Sequence, residues 1–473
     1  MIHIQISRES HDSLSRQIYN SIKEYILSGT LKQGEKLPSS RELAKYLNVA
    51  RNVVIESYEQ LVDEGYARSM SGSGTYVCEK VELEKAKTPR MAKKAEKRPQ
   101  NADEISFRTG VPDLKSIPIL EWAKTYKEAA DSIAPDKMDY QSPFGEYELR
   151  YQLAQYLHRV RGVSTAPENI LITIGAAQSF SLLCHLVPED SYALVENPLS
   201  CGILHTLRSN GVQLKPMEID NCGMLTSKLP IIPPYLIFTT PSHQFPTGVV
   251  LPARRRIEMV QYARDNDIYI VEDDYDSEFR FDGSPIQSMQ NLDPERVIYV
   301  GTFSKTLMPA LRMGYMVLPD SLCARMEEAK FVADLHSPIL EQLAMAKFIE
   351  TGRFDRHIRR MRKRYLDRRN CLIRCLKDSF GETVSISGAE AGMHLVAAFK
   401  GVRFDEKLMR EIENKGLQIS PVSKHCIPSV SGISYEHSLI FGYGNTDNES
   451  IKAGINRLYG ILGGIIQDNH ASE

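Results

Sequence analysis

Hydrophobic residues recur at helical spacing in the first part of the chain. The pattern predicts helices over residues 14–27 and 51–64. Between them it predicts a helix that Ser39 or Ser40 caps and whose Leu43, Ala44 and Leu47 face inward. A Gly/Ser turn at residues 71–74 divides the segment 67–77 into two short strands. Two short helices joined by a tight turn and followed by such a hairpin predict a winged helix-turn-helix domain.

From about residue 105 the pattern changes to continuous apolar runs that alternate with helical stretches. These runs cover residues 170–174, 192–196, 235–240, 268–272 and 297–300. Such runs predict the strands of a mostly parallel sheet that is covered on both faces, and therefore an α/β fold. The tail from residue 318 combines a long charged helix, over 351–375, with a few strands. It predicts a smaller C-terminal α+β subdomain.

A segment poor in aliphatic residues separates these two parts. Residues 79–104 are rich in Lys, Glu and Pro, which is typical of a flexible linker. The sequence thus predicts a DNA-binding domain over 1–78, a linker over 79–104 and a second domain over 105–473. A length of 473 residues agrees with a protein of more than one domain.

Composition and charge bear on the cellular location and the cysteine chemistry of the protein, and they do not identify its function. The net charge of −2 does not by itself indicate a nucleic-acid partner. We found no apolar run approaching the ~18 residues of a membrane span and no signal-peptide pattern, so we expect a cytoplasmic protein without a membrane partner. The eight cysteines have neither CxxC nor paired His/Cys spacing, so we expect reduced thiols and no metal site.

The third predicted helix carries the candidate DNA contacts. It begins Arg51-Asn52, and the N-terminal residues of a recognition helix meet the major groove. Arg51 can bind guanine or a phosphate, and Asn52 can bind adenine or a phosphate. A helical bundle that contacts other proteins is the alternative interpretation.

The motifs of this region resemble the GntR family of transcriptional regulators. They are Leu37-Pro38-Ser39-Ser40-Arg41, Arg51-Asn52, Glu64-Gly65-Tyr66 and Gly74-Thr75-Tyr76-Val77. The resemblance implies that double-stranded DNA is bound by Ser39, Arg41, Arg51, Asn52 and the wing at Gly74. Ala50 and Val53 depart from the Ser and Thr common in the family, which removes an N-cap and a hydroxyl contact.

A second motif, Gly301-Thr302-Phe303-Ser304-Lys305 with Arg312 downstream, follows the run 297–300. With Asp273-Asp274-Tyr275 after the run 268–272, it resembles the pyridoxal 5'-phosphate (PLP) site of fold-type I aminotransferases. Lys305 is then the amine that forms an aldimine with PLP. Asp273, with Asp274 as the alternative, pairs with the pyridine nitrogen at the end of its strand.

The remaining PLP contacts follow the same resemblance. Tyr275 donates to the phenolic oxygen of PLP, unless it is only a packing residue. The phosphate meets the side chains of Thr302, Ser304 and Arg312. Backbone groups of Ala176, Ala177 and Gln178, at the start of a helix after the run 170–174, complete that phosphate site.

Across nearly its full length the chain resembles the MocR/GabR subfamily of GntR regulators. The resemblance implies a homodimer in which each DNA-binding domain packs on the partner's PLP domain, with sites at the subunit interface. GABA-sensing members hold their effector with a tyrosine and two arginines, where this chain has Ser200, Gly202 and Glu436. A GABA-type ligand is therefore disfavoured.

These observations predict a PLP-binding regulator that senses either PLP itself or an amino compound through Lys305. Sensing of PLP would make vitamin B6 synthesis the regulated process. An active aminotransferase with an appended DNA-binding module is the alternative, and Arg208, Arg254 or Arg256 would then have to bind a substrate carboxylate. A scaffold that binds no cofactor is the third hypothesis.

Overall fold

The structure is a computed structural model that divides into two compact units, Met1–Pro99 and Gln100–Glu473. It describes residues 4–8, 10, 12–79, 103–283, 286–428 and 434–470, with the backbone alone for 467–470. Residues 80–102 of the predicted linker lie outside the described residues. The predicted domain boundaries at 78 and 105 stay predictions.

The first unit is a winged helix-turn-helix. Its elements are α1 (Leu14–Leu27), α2 (Ser40–Leu47), α3 (Arg51–Asp63), β1 (Ala67–Met70) and β2 (Gly74–Val77). β1 and β2 form the predicted antiparallel wing. The apolar stripes of the three helices pack into one core, which includes the fully buried Ile18, Ile22, Val54 and Leu61.

The two helices of the motif begin in different ways. Ser39 caps α2 because its hydroxyl accepts from the backbone N–H of Glu42 at 3.2 Å, and the Glu42 carboxylate accepts from the Ser39 N–H at 3.0 Å. α3 begins after Ala50, which has no side-chain cap. The predicted loss of an N-cap at Ala50 is confirmed.

The second unit is built on an eight-stranded sheet with strand order β4-β11-β10-β9-β8-β5-β6-β7. These strands are β4 (Ile170–Thr173), β5 (Ala193–Asn197), β6 (Leu214–Asp220), β7 (Gly223–Met224), β8 (Leu236–Thr239), β9 (Tyr269–Asp274), β10 (Val297–Thr302) and β11 (Gly314–Val317). β5, β6, β8, β9 and β10 pair in parallel, whereas β11 runs antiparallel to β4 and β10. The predicted, mostly parallel sheet is confirmed.

Helices cover both faces of this sheet, since separate apolar clusters pack against each side. They are α4 (Ile119–Ser132), α5 (Tyr147–Arg161), α6 (Ala176–Cys184), α7 (Cys201–Ser209), α8 (Ala253–Asp265), α9 (Phe303–Thr306), α10 (Asp320–Asp334) and α11 (Ile339–Glu350). The sheet therefore places the carboxyl ends of its parallel strands along one edge of the unit.

A smaller C-terminal subdomain completes the second unit and confirms the predicted fold class. Its elements are α12 (Arg353–Phe380), β12 (Val384–Ser387), β13 (His394–Phe399), α13 (Glu406–Asn414), β14 (Leu417–Gln418), β15 (Ser420–Pro421), β16 (Ser438–Gly442) and α14 (Asn448–His470). β12, β13, β16 and β15 form an antiparallel sheet, and β14 pairs with β3 (Ile105–Ser106). In the described part of the chain, no helix has the length and apolar character that crossing a membrane requires.

Candidate functional site: a pyridoxal phosphate pocket

The pocket lies where β9 and β10 end side by side. Their parallel register pairs Asp273 with Val300, so Asp273 lies beside the residues that lead into α9. Thr302 caps α9 by accepting from the Ser304 N–H at 3.1 Å, which places Lys305 in its single turn. The cavity measures about 500 Å³. Predicted residues that line it are Ala176, Ala177, Asp273, Tyr275, Thr302, Ser304, Lys305 and Arg312.

The Lys305 amine points into a narrow space beside Gly110. Nζ donates to the Gly110 carbonyl at 2.6 Å. A Cβ on Gly110, whose φ is +70°, would lie 2.7 Å from that Nζ. Burial lowers the pKa of Lys305, although Asp276 and Asp273 oppose the effect. A larger share of neutral amine makes this lysine a better nucleophile.

The two adjacent aspartates face opposite sides of β9, as successive residues of a strand do. Asp273 lines the pocket, and its buried Oδ1 has no hydrogen-bond partner among the described residues. Burial, reinforced by Asp274 and Asp276, raises the pKa of Asp273 to about 8. The Asp274 carboxylate instead accepts from Arg161 at 2.7 Å and from the Tyr299 hydroxyl at 2.5 Å. Of the two, Asp273 alone is placed to meet a pyridinium N–H.

The Tyr275 hydroxyl is held by His243. It lies 3.1 Å from His243 Nδ1 and donates to the His243 carbonyl at 3.0 Å. Burial raises the pKa of Tyr275 well above its ordinary value, so the phenol stays protonated and remains a donor. Asp276 Oδ1 lies 3.1 Å from His243 Nδ1. Burial lowers and Asp276 raises the pKa of His243, with a net rise.

This network also reaches the C-terminal subdomain. Asp276 Oδ2 accepts from the Met393 N–H at 3.3 Å, and His394 Nε2 donates to the Pro246 carbonyl at 3.0 Å. Atoms of His243, Asp276 and His394 that could bind a metal ion lie within 4.8 Å of one another. Each of the three residues already hydrogen-bonds within the protein. The environment of Tyr275 is therefore continuous with the start of β13.

The predicted phosphate site lies at the start of α6. Gly175 precedes the helix with φ of +114°, and a Cβ there would approach Arg312 Nη2 to 3.0 Å. The first N–H groups of a helix have no partner within the helix, so those of Ala176 and Ala177 suit an anion. Gln178 differs, because its backbone N–H donates to the Gly175 carbonyl at 3.0 Å, and its side chain accepts from the Ile174 N–H and donates to Asp334. Its role at the phosphate stays a prediction.

The three arginines considered for a carboxylate do not line this pocket. Arg254 is exposed and pairs with Glu258. Arg256 is buried and donates to the carbonyls of Leu251, Gln287 and Pro241. Arg208 lies in the last turn of α7 and is likewise not part of the lining.

Several lining residues were not singled out from sequence. Gly110, His394 and His425 come from segments far from the Lys305 motif, and no local pattern marks them. His243 and Asp276 did have a signal, because both belong to short polar segments that follow buried strands.

The predicted DNA-binding residues share the surface of the first unit. Ser39, Arg41, Arg51, Asn52 and Gly74 are all exposed. Arg51 Nε donates to the Ser40 hydroxyl at 3.2 Å, which links the start of α3 to α2. The Ser39 hydroxyl already serves as the α2 cap.

The residues of the pocket fit PLP. The unpaired Asp273 oxygen matches a protonated ring nitrogen, and the Arg312 end matches a phosphate dianion. The Tyr275 O–H already donates to the His243 carbonyl, and its contact with the phenolic oxygen stays a prediction. Bound PLP supplies an aldehyde that condenses with a primary amine and a ring that withdraws electrons. Lys305 is the amine within the pocket that such an aldehyde would meet.

Comparison with known proteins agrees with both units. Residues 14–77 match the model of bacterial regulatory proteins of the gntR family, and residues 102–438 match aminotransferase class I and II. The chain is 34% identical to the probable rhizopine catabolism regulatory protein MocR of Rhizobium meliloti, over 96% of this chain and 94% of that protein. It is 28% identical to the pyridoxine biosynthesis transcriptional regulator PdxR of Corynebacterium glutamicum, over 95% and 96%.

Solved structures resemble the second unit. A kynurenine aminotransferase of Pyrococcus horikoshii, solved with PMP, aligns with a TM-score of 0.70 at 27% identity, covering 77% of this chain and 92% of that one. The chain therefore belongs to the MocR/GabR subfamily of GntR transcriptional regulators and joins a DNA-binding domain to an aminotransferase-fold domain that binds PLP.

Proposed function

We propose that the second domain senses PLP or an amino compound at Lys305 and thereby changes the affinity of the protein for its operator. The observation that carries the proposal is that one pocket holds both Lys305, whose pKa burial lowers, and a carboxyl oxygen of Asp273 that has no hydrogen-bond partner. A ligand shifts a regulator only when it binds two states with different affinity. Hydrogen bonds from Tyr275 to His243, from His243 to Asp276 and from the Met393 N–H to Asp276 connect the pocket with the C-terminal subdomain.

The DNA contacts belong to this proposal. Arg51 and Asn52 at the start of α3 meet the major groove, and Arg41 and the Gly74 wing meet the phosphate backbone. Their exposure supports these roles. Ser39 contributes mainly by fixing the start of α2, since its hydroxyl is already bonded to the helix.

We further propose a homodimer with the pocket near its interface and each DNA-binding domain packed on the partner chain. Support comes from a set of exposed apolar side chains at the end of α10 and in segment 138–140, which the ring contact between Tyr140 and His336 at 6.1 Å brings together. It comprises Met138, Tyr140, Phe331, Val332 and Leu335. Asp334, within this stretch, binds Gln178 beside the phosphate site. Apolar patches of this kind mark protein contacts.

The dimer is tested by Val332→Asp, because Val332 is 78% exposed and its substitution leaves the core intact. Ile231→Asp is the control for an exposed apolar residue outside α10, since Ile231 is 98% exposed. We expect size-exclusion chromatography to give a smaller species for the Val332 variant alone. Equal elution of both variants and the wild type would contradict this interface.

The regulatory function is tested with labelled DNA from upstream of the gene. Fluorescence anisotropy compares apo and PLP-loaded protein, and then PLP-loaded protein with added amines. A change on loading identifies PLP as the effector, whereas a change only on amine addition identifies an amino compound. Lys305→Ala should remove both responses and the visible absorbance of the bound cofactor. Release of a keto acid over many turnovers would instead identify an aminotransferase.

A further inference from the structure

One wall of the pocket contains groups to which no cofactor contact has been assigned. The wall runs from Tyr275 to the start of α7. Phe245 contacts the ring of Tyr275 with centroids 6.1 Å apart, and the ring of His425 at 5.1 Å. Cys201 Sγ lies 3.2 Å from His425 Nδ1. We call this surface the distal wall, and its residues are Ser200, Cys201, Gly202, Phe245, His394 and His425.

The distal wall is polar but carries no charge near neutral pH. Burial lowers the pKa of His425 to about 4 and lowers the pKa of His394 well below its usual value, so both imidazoles are neutral. Burial also raises the pKa of Cys201, which keeps the thiol protonated. The groups facing a ligand here are therefore imidazoles, a thiol and a hydroxyl.

Cations lie elsewhere around the pocket. Among the described residues that line it, Lys305 and Arg312 are the basic side chains apart from the neutral imidazoles, and both are already assigned to the cofactor. Lys424 is exposed and does not belong to the lining, although its charge lowers the pKa of the nearby Cys201 and His425. It is the cation closest in sequence to the distal wall.

The wall also has room for a ligand. A Cβ on Gly202 would have the Ser200 hydroxyl, at 3.7 Å, as its nearest neighbour. A carboxylate buried in this space would lack a charged partner, which is costly. A hydroxyl group is satisfied by a neutral donor and acceptor. The Cys201 thiol, His425 Nδ1 and His394 Nε2 already bond within the protein, so the second imidazole nitrogens and the Ser200 hydroxyl provide the donor and the acceptor.

We propose that the effector is a primary amine that carries hydroxyl groups and no carboxylate, as in an amino alcohol or an amino polyol. Its amine lies at Lys305 and its hydroxyl groups bind the distal wall. The inference rests on the proposed function, in which an amine at this pocket controls DNA binding. It selects one chemical class among the possible amino compounds.

The test uses ligand pairs that differ in one group. 3-Aminopropan-1-ol is compared with β-alanine, and serinol with serine. Calorimetry measures binding to the PLP-loaded protein, and anisotropy measures the change in DNA affinity. A carboxylate buried at the neutral wall loses its hydration without gaining a charged partner, so we expect each hydroxyl compound to bind roughly tenfold to a hundredfold more tightly than its carboxylate partner.

Substitutions at Gly202 provide the converse test. Gly202→Arg places a guanidinium on the wall, and we expect it to reverse the preference within each pair. Gly202→Met is the matched control, because it adds similar bulk without charge and keeps the preference of the wild type. Arg and Met both form helices more readily than glycine, so neither substitution should destabilise α7 through its backbone.

Three results would overturn the inference. The first is equal or tighter binding of the carboxylate compounds by the wild type. The second is a carboxylate preference that Lys424→Gln abolishes, since Lys424 would then bind the effector. The third is failure of both members of each pair to bind. A wild type that still changes its DNA affinity on PLP loading would leave the proposed function standing in all three cases.

Discussion

Substitutions of the adjacent Asp273 and Asp274 should affect different properties. The Asp274 substitution should lower the stability of the protein, and the Asp273 substitution should weaken PLP binding. Asp274 accepts from the buried Arg161 at 2.7 Å and from Tyr299 at 2.5 Å. Asp274→Asn leaves the Arg161 charge buried without its counter-ion. Breaking such a pair costs about 3–5 kcal/mol, a large part of the ~5–15 kcal/mol that stabilises a typical protein.

Asp273→Asn removes a group that has no partner on Oδ1 in the protein alone. With a pKa of about 8 the carboxyl is mostly protonated at neutral pH, so the amide should change the stability of the apoprotein by less than about 1 kcal/mol. The cofactor, in contrast, loses a charged hydrogen bond. A loss of about 1.5–3 kcal/mol weakens PLP binding roughly tenfold to a hundredfold.

Urea unfolding of the two apoproteins and PLP titration by visible absorbance measure these effects separately. We expect Asp274→Asn to lower the unfolding midpoint and Asp273→Asn to raise the dissociation constant for PLP. The assignment of Asp273 to the ring nitrogen would be refuted if Asp273→Asn bound PLP like the wild type while a folded Asp274→Asn protein had lost it.

Three further predictions concern single positions. Ala50→Ser should supply the missing cap of α3 and raise the free energy of unfolding by ~1 kcal/mol, whereas an unchanged midpoint would mean that the cap does not form. Arg51→Ala should weaken operator binding by ~1–3 kcal/mol while Arg254→Ala does not, and equal losses would remove Arg51 from the interface. The rate of PLP loading should rise with pH with a midpoint below the ~10.4 of free lysine, because burial lowers the pKa of Lys305 and so leaves its amine neutral at lower pH; a midpoint at or above that value would contradict this.

Much of the fold could be predicted because its elements have strong local patterns. The helix 14–27 was predicted with the bounds that the structure has, and the five predicted strands all occur in the large sheet. β6 was missed, since only alternate residues are buried there and Pro216 interrupts it. β11 was missed because it is only four residues long and begins within the Lys305 motif, at Gly314.

The site was harder to predict where it depends on the direction of a side chain. Sequence left Asp273 and Asp274 as alternatives, and the alternation of β9 separates them. Gln178 was predicted to offer a backbone group at a helix start, yet its N–H donates to the Gly175 carbonyl at 3.0 Å. His425 meets Cys201 across 224 residues of sequence. Contacts at that separation leave no local signal in a single chain.

The central claim is that occupancy of the Lys305 pocket changes DNA binding. The most direct measurement is the anisotropy of labelled upstream DNA with wild-type and Lys305→Ala protein, each tested alone, with PLP, and with PLP and a hydroxylated amine. We predict that the wild-type affinity shifts by about 5- to 150-fold in at least one ligand condition while the variant stays constant. Identical isotherms for both proteins in all conditions would contradict the claim.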